Sequence, residues 1–75
     1  MEHRVTGRER QVLRLISQGL ANKEIAARLN LSKHTIDNHC RKIFRKLDVG
    51  DRFAAVDAAK DEGIIAADGQ GEPIV

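Results

Sequence analysis

The segment between Lys33 and Lys46 carries side chains that can hydrogen-bond to bases and pair with phosphates. Five cations and one acid lie in it: Lys33, Arg41, Lys42, Arg45, Lys46 and Asp37. Arginine and asparagine present donors in a geometry that fits base edges, and cations neutralise phosphates. The segment is therefore a candidate surface for a polyanion. Charge counting alone leaves open the alternative of a solvated helix face.

Helical periodicity separates this polar chemistry from an apolar side. At ~100° per residue, one group of apolar side chains falls within an arc of about 100°: Ile36, Cys40, Ile43, Phe44 and Leu47. The opposite side carries His34, Asp37, Asn38, Arg41 and Arg45. The spacing predicts a helix over about 33–47 with one face in a core and the other polar and basic.

Residues 22–39, NKEIAARLNLSKHTIDNH, predict a short helix, a tight turn and then this polar-faced helix. The small side chain of Ala26 lets the two helices cross closely, and Leu29 and Ile36 fix their angle by packing. Ser32 caps the second helix of the pair, whose first amides then favour an anion. This is the plan of a helix-turn-helix, in which the second helix enters the DNA major groove. Many other helical hairpins share the pattern.

Capping residues predict the remaining helices. Thr6 and Glu9 form a capping box at the start of the first helix, and Gly19 ends it. Asn22 is expected to cap the second helix. Asp51 caps a fourth helix that runs to about Glu62, with a narrow stripe made of Ala55, Val56 and Ala59.

Composition restricts the class of protein. A length of 75 residues fits one small domain. With 3% aromatic residues, the chain has too few aromatic side chains for a β-sheet that binds single-stranded nucleic acid by stacking its bases. The single cysteine, Cys40, excludes an internal disulfide and a multi-cysteine zinc site. No apolar run approaches the roughly 18 residues of a membrane span, so a cytoplasmic protein with no membrane partner is expected. Residues 1–50 carry 11 Lys/Arg against 5 Asp/Glu, and residues 51–75 carry 2 against 6.

Three stretches together resemble a known family. They are VTGRERQVLRLISQGLANKEIAARL, LSKHTIDNHCRKIFRKLDV and DRFAAV, and they cover about residues 5–65. They are similar to the LuxR-type (GerE-like) DNA-binding domain at the C-terminus of NarL/FixJ-type response regulators. The resemblance implies an all-α, four-helix fold, which we expect over residues 1–67. The Gly and Pro residues near the C-terminus (Gly69, Gly71, Pro73) predict a flexible tail over 68–75. The resemblance also implies sequence-specific binding to double-stranded promoter DNA, in a bacterial transcription regulator that dimerises through the fourth helix.

The resemblance also suggests roles for individual residues. The base-reading positions are Asp37, Asn38 and Arg41. The expected phosphate contacts are Lys23, Ser32, Lys33, His34, Thr35 and Arg45. The expected dimer contacts are Phe53, Asp57 and Lys60. The family very often has Lys where this chain has Asp37, so an acceptor replaces a usual cation. An exposed ion pair between Asp37 and Arg41, worth ~0.3–0.5 kcal/mol, is an alternative role for that carboxylate.

Phe53 lies off the apolar stripe of the fourth helix, beside Asp57 and Lys60. We expect it to pack against its symmetry mate, because an outward aromatic side chain favours a partner surface. The alternative is that it folds back over Leu47 or Val49.

Metal, redox and catalytic roles are not expected. His34 and His39 lie more than about 100° from each other around the helix and cannot converge with Cys40 on one ion. Cys40 is expected to be a buried apolar residue. Glu9 and Arg52 are interpreted as a cap and an internal ion pair. No convincing nucleophile and base pair is present, so no enzyme and no cofactor are expected.

Two other function classes are alternatives to DNA binding. The first is a protein-interaction module whose basic face meets an acidic partner, and the second is an enzyme. The expected partners are promoter DNA and a second copy of the chain, at least on DNA, with RNA polymerase as a further candidate. The operator, the direction of regulation and the upstream signal stay open. So does the choice between a domain of a larger regulator and a stand-alone small one.

Overall fold

The computed structural model describes residues 5–65, which form four α-helices and contain no strand. The helices are α1 (Gly7–Ser17), α2 (Asn22–Leu29), α3 (Lys33–Leu47) and α4 (Arg52–Asp61). The expected all-α, four-helix fold is confirmed over this range. The expected domain boundary at residue 67 and the tail over 68–75 lie outside the described residues.

Three helix starts follow the predicted caps. Thr6 and Glu9 form a reciprocal capping box, with N···O distances of 3.1 and 3.0 Å. Ser32 Oγ accepts from the Thr35 amide at 3.0 Å, and Asp51 accepts from the Ala54 amide at 2.8 Å. Each contact satisfies an amide that has no acceptor within its own helix. The start of α3, on which the polar face depends, is therefore fixed locally.

The prediction that Asn22 caps the second helix is wrong. Ala21 occupies the N-cap position, and its amide donates to Glu24 Oε1 at 2.7 Å. Asn22 is the first residue of α2, and its side chain turns toward α3 and α4. The physical reason is that α2 begins one residue earlier than predicted. Asn22 is therefore a helical residue, and its side chain contacts tertiary partners instead of an amide at the helix start.

Left-handed residues make the turns short. Gly19 (φ 92°) follows α1, Asn30 (φ 60°) ends α2 and Asp48 (φ 58°) ends α3. The Leu31 amide donates to the Ala26 carbonyl at 2.8 Å, which closes the turn between α2 and α3. Such a closure satisfies free carbonyls at a helix end. The tight turn expected between the paired helices is present and comprises residues 30–32.

The core joins α1 and α3, each of which packs against the three other helices. Its completely buried side chains are Val12, Leu13, Ile25, Ile36, Ile43, Ala55 and Ala59. Full burial of a Leu or Ile side chain contributes roughly 1.5–3 kcal/mol. Ala26 is also buried, so α2 can approach α3 closely as expected. The apolar face of α3 is thereby anchored, and its polar face is left outside.

Glu9 is the buried charged residue of the described region. Its carboxylate accepts from the Thr6 amide and from Lys46 Nζ, the latter at 2.7 Å. Burial raises the pKa of Glu9, but the hydrogen bonds from Lys46 and Thr6 and the positive charge of Lys46 outweigh it. The net pKa is lowered from its ordinary value. The cap expected at Glu9 is therefore confirmed, and Glu9 forms an internal ion pair with Lys46. The internal ion pair expected of Arg52 is wrong, because Arg52 donates to neutral oxygens of Asn22 and Leu20.

Candidate nucleic-acid interface

The outer face of α3 is open to solvent and basic. His34, Arg41 and Arg45 are exposed on this face. Asp37 and Asn38 also belong to it and are half-buried. On the opposite side Ile36, Cys40, Ile43 and Leu47 are buried. Arg41 Nη1 donates to Asn38 Oδ1 at 3.4 Å, so the guanidinium and the amide lie together. The structure therefore brings the three expected base-reading residues onto one accessible surface.

The N-terminal end of α3 presents small polar groups beside two basic side chains. Ser32, Lys33 and His34 are exposed, and Thr35 is half-buried. Ser32 Oγ and Thr35 Oγ1 lie 2.9 Å apart. The first amides of any helix lack intrahelical acceptors, and the helix dipole favours an anion there. Lys23, at the start of α2, is also exposed. The arrangement is suited to a phosphate.

Asp37 is held by two donors. Asn22 Nδ2 donates to its Oδ1 at 2.8 Å, and Lys33 Nζ donates to its Oδ2 at 3.0 Å. The hydrogen bond from Asn22, followed by the one from Lys33, lowers the pKa of Asp37 below its ordinary value. The alternative of an ion pair with Arg41 is wrong, because Asp37 pairs with Lys33, one turn earlier. At neutral pH this carboxylate is an ionised acceptor of fixed orientation.

Asn22 joins three helices in a network that sequence reasoning did not find. Its Oδ1 accepts from Arg52 Nη1 at 3.3 Å and lies 3.7 Å from Cys40 Sγ. Arg52 Nη2 also donates to the Leu20 carbonyl at 2.7 Å. The partners of Asn22 lie 15, 18 and 30 residues away in sequence. No local pattern signals contacts at such separations.

Cys40 is buried, as expected, on the inner side of α3. Burial raises the pKa of its thiol, and the nearby Arg52 and Asn22 only partly offset that effect. A raised pKa keeps the thiol protonated at neutral pH, which is the poorly reactive form.

Phe53 stands out of α4 with 79% of its surface exposed. The alternative that it folds back over Leu47 or Val49 is therefore wrong. Asp57 is also exposed, and Lys60 is half-buried on the same helix. Beside Phe53, an open groove of about 570 Å³ runs between the end of α1 and the start of α4. An exposed aromatic side chain next to an apolar groove is typical of a contact surface.

Neither a cluster of metal ligands nor a membrane-spanning helix occurs within residues 5–65. Within this range no three His, Cys, Asp or Glu side chains cluster as metal ligands would. None of its helices combines the length and the apolar character needed to cross a membrane.

Comparison with known proteins decides the family. The model of the family GerE, described as bacterial regulatory proteins of the luxR family, matches residues 3–59 of the chain. The chain belongs to the luxR family. A luxR-family domain is a DNA-binding domain of a transcription regulator, as the sequence predicts.

The individual relatives of this luxR-family domain include a response regulator and a transcriptional regulatory protein. The nitrate/nitrite response regulator protein NarP of Escherichia coli is 49% identical over 51 residues, which are 68% of this chain and 24% of NarP. The transcriptional regulatory protein ComA of Bacillus subtilis is 43% identical over 61 residues, which are 81% of this chain and 28% of ComA. The chain thus spans about a quarter of the length of each of these relatives.

Two solved structures have the same fold. The transcription factor GerE superposes with a TM-score of 0.78 at 31% identity, covering 81% of this chain and 91% of that chain. The response regulator ChrA of a heme-sensing two-component system superposes with a TM-score of 0.80 at 38% identity, covering 81% of this chain and 30% of ChrA. The expected GerE-like fold is confirmed.

Proposed function

We propose that this luxR-family domain binds a specific promoter sequence as a dimer, with α3 in the major groove. One observation carries the proposal: the inner face of α3 is buried, while its outer face is solvent-facing and basic. The major groove is about 12 Å wide and admits one helix. The domain acts as the effector of a response regulator or as a stand-alone small regulator.

Three side chains on the outer face are assigned to base reading. The exposed guanidinium of Arg41 can donate two hydrogen bonds to a guanine, and the amide of Asn38 can bind an adenine edge. The carboxylate of Asp37 can accept from a cytosine amino group. Asn38 and Arg41 are joined by a 3.4 Å hydrogen bond, so they would read adjacent bases. Where the family very often places a cation, Asp37 adds an acceptor.

Phosphate contacts supply most of the affinity in this proposal. They are assigned to Lys23, Ser32, Lys33, His34, Thr35 and Arg45. Phosphate contacts orient a protein on the duplex without reading sequence, and base contacts add discrimination. The polar end of α3 and the exposed Arg45 further along it would follow one strand of the backbone.

The test of DNA binding is a selection of binding sites from random DNA, followed by electrophoretic shifts. Arg41→Ala should cost about 1–3 kcal/mol on the selected site and relax the preference at one base position. Arg28→Ala is the matched control, because Arg28 is an exposed arginine of α2 that is not among the residues assigned to DNA contact; it lies beside Gly19 and Leu20. It should change binding by no more than a few tenths of a kcal/mol. Absence of a specific complex even at low salt would favour the protein-interaction alternative.

Asp37 is expected to shift base preference rather than abolish binding. Asp37→Ala removes one acceptor from the outer face and leaves its cations in place. The selected motif should therefore change at one position while a complex still forms. An unchanged motif would refute the role assigned to Asp37.

Dimerisation is assigned to α4 through Phe53, Asp57 and Lys60. The exposure of Phe53 and the adjoining groove support it. Phe53→Glu should shift the sedimentation equilibrium toward monomer, in the presence of DNA above all. Gln11→Glu, at an exposed position of α1, adds the same charge elsewhere and should leave the monomer–dimer equilibrium unchanged. An equal monomer–dimer balance in wild type and Phe53→Glu would exclude Phe53 from the interface.

The proposal assigns binding and no catalysis. The two serines of the chain are engaged in helical hydrogen bonds: Ser17 Oγ donates to the Arg14 carbonyl at 2.6 Å, and Ser32 caps α3. A regulator of bacterial promoters works in the cytoplasm, where RNA polymerase is available as a further partner.

A further inference from the structure

Asn22 has its amide orientation fixed by its neighbours. Arg52 has donors and no acceptor, so the atom of Asn22 that faces its Nη1 at 3.3 Å must be the oxygen. The amide nitrogen consequently faces Asp37 Oδ1 at 2.8 Å, where an ionised carboxylate can only accept. The polarity of the whole chain of contacts is consistent, from the Leu20 carbonyl through Arg52 and Asn22 to Asp37.

Lys33 is the second donor to the carboxylate of Asp37. Lys33 Nζ reaches Oδ2 at 3.0 Å from one turn earlier on α3. Lys33 is largely exposed, with 62% of its side chain accessible, while Asn22 is half-buried and tied to two other helices. A flexible surface lysine restrains a carboxylate weakly. The more rigid restraint on Asp37 therefore comes from Asn22.

We infer that Asn22, itself held by Arg52, is a positioning residue that sets the base preference of α3 by orienting Asp37. The inference rests on the proposed function, because it assumes that Asp37 reads a base. A carboxylate that is free to rotate could also turn to Arg41, which lies four residues later on the same face. Discrimination by one hydrogen bond requires the acceptor at a fixed place, so loss of the restraint should blur the preference at that base.

Asn22→Asp is the most informative substitution. It preserves the shape of the side chain and keeps an acceptor for Arg52 and Cys40, but it replaces the donor toward Asp37 with a second negative charge. Discrimination at the base position read by Asp37 should fall on the order of tenfold in site selection. Preference at the positions read by Asn38 and Arg41 should persist.

The double variant separates positioning from folding. If Asn22 acts through Asp37, Asn22→Asp combined with Asp37→Ala should select the same motif as Asp37→Ala alone. Lys23→Ala, at the neighbouring exposed position of α2, is the control. It should weaken binding to all sequences equally, because Lys23 is assigned to a phosphate contact. Asn22→Ala provides a second test in the same site selection, because it removes the donor toward Asp37 without adding a charge. Circular dichroism at low temperature checks that this variant keeps its helix content.

The outcomes distinguish the inference from the function beneath it. A motif altered by Asp37→Ala but unaffected by both Asn22 variants would overturn the inference and leave the proposed function standing. A uniform loss of affinity in the Asn22 variants, with the motif retained, would also overturn it. A wild-type protein that selects no motif would overturn both.

Discussion

At the scale of single residues, two carboxylates have lowered pKa values but different roles. Glu9 is buried against Lys46, and Asp37 lies at the edge of the exposed basic face between Asn22 and Lys33. In each case hydrogen bonds to the charged form lower the pKa. The charge of Glu9 serves stability, since it joins the start of α1 to the last turn of α3. In the proposed function, the charge of Asp37 is instead presented to a DNA base.

The lowered pKa of Glu9 predicts acid sensitivity. A carboxyl whose pKa is lower in the folded state stabilises the protein above its ordinary pKa. That stability is lost as the pH falls through the lowered value. Glu9→Gln should therefore reduce the free energy of unfolding by about 1–2 kcal/mol at pH 7 and flatten its decline in acid. Urea titrations between pH 7 and pH 3 measure both effects.

Glu24→Gln is the matched control for Glu9→Gln. Glu24 is exposed and also accepts from the backbone at a helix start, from the Ala21 amide. Comparison of the two variants separates the effect of the ion pair with Lys46 from that of a capping hydrogen bond. Equal pH profiles for the two variants would contradict the role given to the Lys46 pair.

Because the thiol of Cys40 is buried, we expect it to react slowly with alkylating reagents in the folded protein. Burial raises its pKa and blocks access, so alkylation by iodoacetamide at pH 8 should be at least about tenfold slower in the folded protein than in urea. Mass spectrometry of timed samples measures the rates. Equal rates in the two conditions would show that Cys40 is accessible.

At the scale of elements, two glycines in turns differ in backbone conformation. Gly19 has φ 92°, whereas Gly50 lies outside the left-handed region. A Cβ added at either glycine would meet open space. Packing is thus equal at the two sites, and backbone conformation alone distinguishes them.

This difference predicts opposite effects of one substitution. Gly50→Ala should raise the free energy of unfolding by about 0.4–1 kcal/mol, because alanine restricts the unfolded chain. Gly19→Ala should lower it by roughly 1 kcal/mol, because L-residues are strained at positive φ. Thermal and urea unfolding measure both values. Two changes of the same sign would mean that the turn after α1 or the one after α3 has been described wrongly.

At the scale of the whole molecule, charge is divided along the chain. The first 50 residues carry 11 Lys/Arg against 5 Asp/Glu, while the remainder carry 2 against 6. The fold places much of the basic excess on α3, and α4 presents Phe53 with Asp57. The basic surface of α3 is the one proposed to bind DNA, and the surface of α4 is the one proposed to form the dimer.

Salt dependence is the whole-molecule test of this arrangement. Six neutralised phosphates per bound unit would give a slope of about −5 for log K against log salt concentration. Lys23→Ala should reduce the magnitude of the slope by about 0.9, whereas the control Arg28→Ala should not. Titrations of a fluorescent site at several salt concentrations give the slopes. A slope near zero would exclude binding through phosphates.

Local sequence patterns determined the helices of this protein. The caps at Thr6, Ser32 and Asp51, the left-handed Asn30, and the buried side of α3 all follow from residues three or four positions apart. Such contacts form within one helix or one turn, so their geometry is nearly the same in any fold. For the same reason the polar and basic face of α3 could be predicted before any packing was known.

Tertiary structure alone decided which groups those polar side chains meet. Asn22 was expected at a cap and instead bridges α2, α3 and α4, and Asp37 binds Asn22 and Lys33 rather than Arg41. Lys46 reaches Glu9 across 37 residues. Each choice among competing donors depends on how closely the helices cross. That distance is set by the packing of the entire core, which no short stretch of sequence encodes.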